Sequence, residues 1–257
     1  NMQAGACQPT FAPDGNRLAF TSPCLGKQDT YPGSGIYIMD LLNPGEPTKL
    51  ISSLEGDFDP AWSPDGKRIA FTSLRNQIPA IYVINLDDLS LEKLSPTTKP
   101  DKQPAWSPSG TQIAFVRQFL SSQIWIMADN GGYQSKFSAD GPMNNLWPSW
   151  SVDGQVIFYS QSSVEKFNPW LVYRRYEDRE SAIETRIPAT ARGDTGPFTQ
   201  VRQSPDGSYL AYEGWPDGVN HDIYIMDSNG SNPQRLTTDP GDDFGPTWRP
   251  VLPAQQP

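Results

Sequence analysis

An all-β chain, folded as one β-propeller of four-stranded blades, is what the 257 residues predict. Three observations carry this. A hairpin pattern recurs along the chain, its copies starting 51, 44, 44, 53 and 45 residues apart, which is the spacing of propeller blades. Each complete copy is followed by a short β-branched and aromatic segment. Pro (26) and Gly (21) are frequent, which suits many short strands joined by turns.

The copies read "PTFAPDGNRLAF" from Pro9, "PAWSPDGKRIAF" from Pro60, "PAWSPSGTQIAF" from Pro104, "PSWSVDGQVIFY" from Pro148 and "VRQSPDGSYLAY" from Val201. A partial sixth, "PTWRP", starts at Pro246. The turn chemistry explains the pattern: Pro64 presets φ, Asp65 accepts from backbone amides and Gly66 supplies positive φ before the next strand. Asp14, Asp65, Asp153 and Asp206 are therefore read as turn formers, with Ser109 as a weaker version. Trp62, Trp106, Trp150 and Trp248, with Phe11 in register, are read as packing between blades. Strands a and b of each unit are followed by a strand c ("IYIMD" 36–40, "IYVIN" 81–85, "IWIMA" 124–128, "WLVYR" 170–174, "IYIMD" 223–227) and by a more polar strand d, such as "EKLS" at 92–95.

The stretch "DFDPAWSPDGKRIAFTS…IYVIN" resembles the TolB-type β-propeller repeat, a cousin of the WD repeat, and the likeness runs from Pro9 to Pro250. The resemblance implies a propeller, commonly of six blades; similar repeats occur in periplasmic TolB, in the propellers of prolyl-oligopeptidase-like enzymes and in many exported bacterial proteins. Five complete sets of strands favour five blades here, with "PTWRP" helping to close the ring; six blades, one incomplete or completed by a neighbour, is the alternative. The propeller is expected over 1–250 and a Pro-rich tail or linker over 251–257, "VLPAQQP".

Net charge is −9 with no basic cluster, which argues against nucleic acid and anionic membrane surfaces. No apolar run is long enough to span a membrane. The opening "NMQAGACQP" leads to the expectation of an exported protein, extracellular or periplasmic, whose signal has been removed. Cys7 and Cys24 flank the first hairpin, and a disulfide between them would fit an oxidising compartment. The one histidine, His221, is read as exposed loop filler.

Propeller connectivity puts the a–b and c–d turns on one face and the b–c and d–a loops on the other. The second set is long and irregular, so binding of a protein or glycan partner is expected there. Tyr31, Trp147 and Trp215 are the aromatic candidates for a glycan. A structural subunit of a self-assembling surface array is a second reading. A glycosidase-like enzyme using Asp59, Asp194 and Asp243 is a third, weakened because strand a carries no carboxylate in any unit from its Pro onward. Three residues before the strand-a Pro, or its equivalent, stand Ala6, Asp57, Asp101, Asn145, Phe198 and Asp243, and Asp59, Asp194 and Asp242 lie nearby. A partial acidic ring at the channel mouth is expected, with Asp57, Asp101 and Asp243 admitting Ca²⁺ or, preferably, meeting a cationic segment of a partner. No other cofactor is expected.

Overall fold

The computed structural model describes residues 5–95, 98–177, 183–188, 196–216 and 218–250. It is a five-bladed β-propeller made of five antiparallel four-stranded sheets, each formed by four consecutive strands. Blade one holds β1 (Cys7–Phe11), β2 (Arg17–Ser22), β3 (Gly35–Asp40) and β4 (Thr48–Ser52). Blade two holds β5 (Asp57–Trp62), β6 (Arg68–Ser73), β7 (Ala80–Asn85) and β8 (Leu91–Lys93). Blade three holds β9 (Asp101–Trp106), β10 (Gln112–Gln118), β11 (Ser122–Ala128) and β12 (Ser135–Lys136). Blade four holds β13 (Met143–Trp150), β14 (Val156–Ser163), β15 (Trp170–Arg175) and β16 (Thr185–Arg186). Blade five holds β17 (Phe198–Gln203), β18 (Tyr209–Gly214), β19 (Asp222–Asp227) and β20 (Gln234–Arg235). The tail 251–257 lies outside the described residues.

The repeated sequence produces a repeated register. Phe11 pairs with Leu18, Trp62 with Ile69, Trp106 with Ile113, Trp150 with Ile157 and Gln203 with Leu210. The turns close as their residues dictate: the Asp65 carboxylate accepts from the Lys67 amide at 3.1 Å and from the Ser63 hydroxyl at 2.5 Å. Ser204, Asp206 and Ser208 repeat this arrangement. These bonds favour the ionised carboxylate and hold Asp65 and Asp206 below the usual range.

The core lies between blades. Ile81 and Val83 of β7 pack on Trp106, Ile113 and Phe115 of the next blade, and Leu171 of β15 packs on Phe198, Val201 and Tyr212. Full burial of a side chain such as Phe71 or Phe115 contributes about 2–3 kcal/mol. Trp62 does pack between blades, against Ala12 and Ala19, with Arg17 stacked over its ring at 4.7 Å.

One position in every inner strand is irregular. Gln8, Asp59, Gln103, Trp147 and Gln200 all have φ between 53° and 56°, and a bulge shifts the register of each a–b pair at this place. Left-handed φ costs a non-glycine residue about 1–2 kcal/mol. The cost is offset by hydrogen bonds from blade to blade. Gln8 Oε1 accepts the Asp59 amide at 2.9 Å, Asp59 Oδ2 accepts the Gln103 amide at 3.3 Å, and Gln103 Oε1 accepts the Trp147 amide at 2.7 Å. The result is a belt of side chains around the central channel.

After β20 the chain runs inward, and residues 243–250 lie between blade five and blade one. The Trp248 indole donates to the Arg202 carbonyl at 3.0 Å, and Arg249 Nε donates to the Gly15 carbonyl at 2.8 Å. Gly245, with φ 69°, takes the belt position, and a side chain there would press on Gln200 Oε1. The sixth partial copy thus helps to close the ring.

Candidate functional site

The belt lines a channel of about 470 Å³, walled by Gln8, Asp59, Gln103, Trp147 and Gln200 with Arg202 among them. The Asp59 carboxylate is enclosed, and burial pushes its pKa up to about 6 against the pull of its donors Thr72, Gln103 and Gln8 and the nearby charge of Lys102. Arg202, desolvated in the same channel, is pushed down to about 10, an effect the charge of Asp59 opposes. The channel therefore holds an acid and a base in a poorly hydrated setting.

At the loop end of this channel three blades contribute to one cluster. The loop after β2 carries Lys27 across the ring, where its ammonium meets Glu213 Oε1 at 2.7 Å and the Thr199 hydroxyl at 3.2 Å. The same ammonium lies 4.5 Å from the Trp147 ring centroid and 5.6 Å from that of Trp215. His221 Nδ1 is 2.6 Å from Glu213 Oε1. Its ring stacks on Trp215 at 4.1 Å, and the Phe167 ring also stacks on Trp215, at 6.3 Å. Glu213 is fully buried, and its Oε2 has no hydrogen-bond partner among the described residues. Desolvation lowers the Lys27 pKa, and the charge of Glu213 works against that shift. The arrangement is a cation held over a buried carboxylate between aromatic rings.

A family model describing the TolB beta propeller domain matches residues 1–171. The chain belongs to that family. The Tol-Pal system protein TolB of Anaeromyxobacter dehalogenans (strain 2CP-C) is 33% identical over 101 residues, which are 39% of this chain and 21% of that protein. The matched stretch thus covers about a fifth of the curated relative. TolB from Acinetobacter baumannii superposes with a TM-score of 0.73 at 22% identity, over 96% of this chain and 57% of that one. Oligogalacturonate lyase from Vibrio parahaemolyticus superposes with a TM-score of 0.55 at 13% identity, over 97% of this chain and 84% of that one. Likeness at these identities establishes the fold.

Within this TolB-type propeller the expected site residues separate into three groups. Asp57 and Asp101 do not form a ring at the mouth: both are fully buried, each held inside its own blade by an arginine. Arg75 donates to both oxygens of Asp57 at 3.1 and 2.9 Å, and Arg117 grips Asp101 at 2.7 and 2.8 Å. Asn145 is buried too, accepting from Gln161 and donating to Gln123. Among the described residues no three acidic, His or Cys side chains come together as a group that could hold a metal ion. Tyr31 is also no open sugar platform. It is buried against Phe58, and its hydroxyl accepts the Gln28 amide.

Asp59 and Trp147 do reach the channel, one residue before the strand-a Pro instead of three. Asp59 is part of β5, so an inner strand does carry a carboxylate. Trp215 joins the cluster above the channel, and His221 is its stacking partner, not filler. Asp242 is exposed and accepts the His221 amide; Asp243 donates its amide to the His221 carbonyl at 2.7 Å. Asp194 lies outside the described residues. Lys27, Thr199 and Glu213 were not foreseen. The signal available was the lone lysine in the loop after β2 together with a glutamate inside an otherwise apolar strand b, "LAYEG". The disulfide expectation holds: Cys7 and Cys24 are bonded, with Cα atoms 5.9 Å apart.

Proposed function

We propose that this chain is an exported, non-catalytic binding propeller, working in the periplasm or outside the cell, that engages a protein partner across the b–c and d–a loop face. One observation carries the reading. Every b–c loop sends a large apolar side chain into solvent: Leu25, Ile78, Leu120, Phe167 and Val219. On the opposite face the a–b turns are Pro-Asp-Gly or Pro-Ser-Gly in four of the five blades. A rim of apolar side chains around a channel mouth suits a protein surface. A glycan reading is less well supported, since Tyr31 is buried and Trp147 and Trp215 are engaged by Lys27 and His221. Membership of the TolB family and the Tol-Pal naming of its relatives support an envelope role for this chain as well. The Cys7–Cys24 disulfide supports an oxidising compartment.

The test is site-specific photo-crosslinking in intact cells, with the photoreactive residue at Leu120 on the loop face and at Tyr133 on the opposite face, both fully or almost fully exposed. A discrete protein adduct from Leu120 and none from Tyr133 is the expected result. Adducts from Tyr133 alone, or from neither position, would overturn the assignment.

A further inference from the structure

The repeat supplies its own controls for the channel, and they single out Arg202. The place one residue after the strand-a Pro, or its equivalent, is held by Thr10, Ala61, Ala105, Ser149 and Arg202 in blades one to five. Each occupies the same step of its a–b ladder, and all of them line the channel. One long cation therefore stands in a ring of small side chains.

Arg202 is an exception in its partners as well as its size. Two other enclosed arginines of the ring are spent on carboxylates, Arg75 on Asp57 and Arg117 on Asp101. Among the described residues no carboxylate lies within ion-pair distance of Arg202, and its side chain makes one hydrogen bond, from Nη1 to the carbonyl of its own neighbour Val201 at 3.1 Å. Most of its N–H donors are thus unspent. Asp59, whose charge reaches it across the channel, keeps its own carboxylate on Gln8, Thr72 and the Gln103 amide. A guanidinium desolvated without an anion is destabilising, and an anion entering the cavity relieves that cost.

The cavity has the shape to admit one. Its volume of about 470 Å³ is that of a small-molecule site. Its lining runs from the belt to Pro64, Pro108 and Pro205 in the a–b turns, so it opens on the turn face and stops at the belt. Between these ends the wall is largely apolar, with Pro60, Pro104 and Pro148 and with Trp62, Trp106 and Trp150.

We infer that this half of the channel binds a small monocarboxylic acid with an apolar body, its carboxylate held by Arg202. The guanidinium fork matches a carboxylate in two parallel hydrogen bonds. A single guanidinium with Asp59 nearby favours one negative charge over the two of a phosphate. The prolines and tryptophans take the apolar body. The site is on the far side of the belt from the loop face, so it stands or falls independently of the binding role proposed above.

The probe is phenylacetate, titrated calorimetrically into the full chain, with phenylacetamide as an uncharged molecule of nearly the same shape and inorganic phosphate as a second anion. Saturable binding of phenylacetate is expected, with phenylacetamide and phosphate at least tenfold weaker. Arg202→Gln should weaken phenylacetate by tenfold or more and leave phenylacetamide unchanged, with the near-ultraviolet circular dichroism of the parent showing that the variant is folded. The comparison of acid with amide is made on the parent chain and needs no variant. Absence of saturable phenylacetate binding, equal affinity for acid and amide, tighter binding of phosphate, or full affinity in folded Arg202→Gln would each overturn the proposal.

Discussion

Arg117 holds Asp101 through two parallel hydrogen bonds, Nε to Oδ1 at 2.7 Å and the second guanidinium nitrogen to Oδ2 at 2.8 Å, with both side chains sealed inside blade three. Gln134 takes a further donor of the same guanidinium at 2.7 Å. Removing one partner leaves the other charge buried. Arg117→Gln is therefore expected to cost about 3–5 kcal/mol in urea denaturation. The double variant Asp101→Asn with Arg117→Gln should recover much of that loss. The Arg75–Asp57 pair, whose arginine is 22% exposed, should tolerate the same change to Arg75 better.

Asp59 makes stability depend on pH in an unusual direction. Burial pushes its carboxyl up to about 6 in the fold, from 3.8 for an unburied aspartate. Between those values the folded chain keeps a proton that the unfolded chain has already lost. Stability therefore falls as pH rises through this window, and the cost is fully present above the upper value. Asp59→Asn should flatten this part of the profile, gaining on the parent as pH rises across the window. Thermal denaturation across that range checks it; parallel profiles for the two proteins would contradict it.

Lys27 is the only lysine or arginine that the described cluster offers to Glu213. Lys27→Met leaves Glu213 buried without its ammonium partner and removes that ammonium from the faces of Trp147 and Trp215. A loss of about 1–3 kcal/mol is expected, together with a change in tryptophan emission. Adding Glu213→Gln should make the second loss smaller than it is alone, measured as a double-mutant cycle.

The Cys7–Cys24 bond closes a loop of sequence separation 17. In the chain-entropy account such a closure is worth about 3 kcal/mol. Non-reduced, denatured protein should contain no alkylatable thiol, and a mild reductant should lower the midpoint of thermal unfolding. The loop bearing Lys27 follows Cys24 directly, so reduction should also disturb the tryptophan signal of the cluster.

The fold was legible because it is written five times in local chemistry. The Asp-Gly or Ser-Gly turn, with Trp62, Trp106 or Trp150 before it and Phe11 or Gln203 at the same place in blades one and five, determines each hairpin register without reference to distant residues. The channel lining was misplaced for a definite reason. Asp57 and Asp59 share a parity in a regular strand, so alternation would put both on one side, but the bulge between Phe58 and Ala61 breaks that alternation. Asp57 turns to an arginine beyond the end of β6, and Asp59 turns to the channel. The cluster above the channel was illegible for another reason: Lys27 and Glu213 are 186 residues apart, and only ring closure brings them together.

The belt of side chains also limits how such a ring could grow. An inner strand whose strained amide is capped by the preceding blade is not a self-sufficient tile. A duplicated unit inserted elsewhere would fold well only downstream of a neighbour that offers an oxygen at that one place. Trp147 offers none, and there the hydroxyl of Ser160, standing where Thr72 stands in blade two, receives the Gln200 amide at 3.1 Å instead. Blades of this ring can thus be exchanged only in adjoining pairs, or together with a substitute acceptor of the kind blade four already contains.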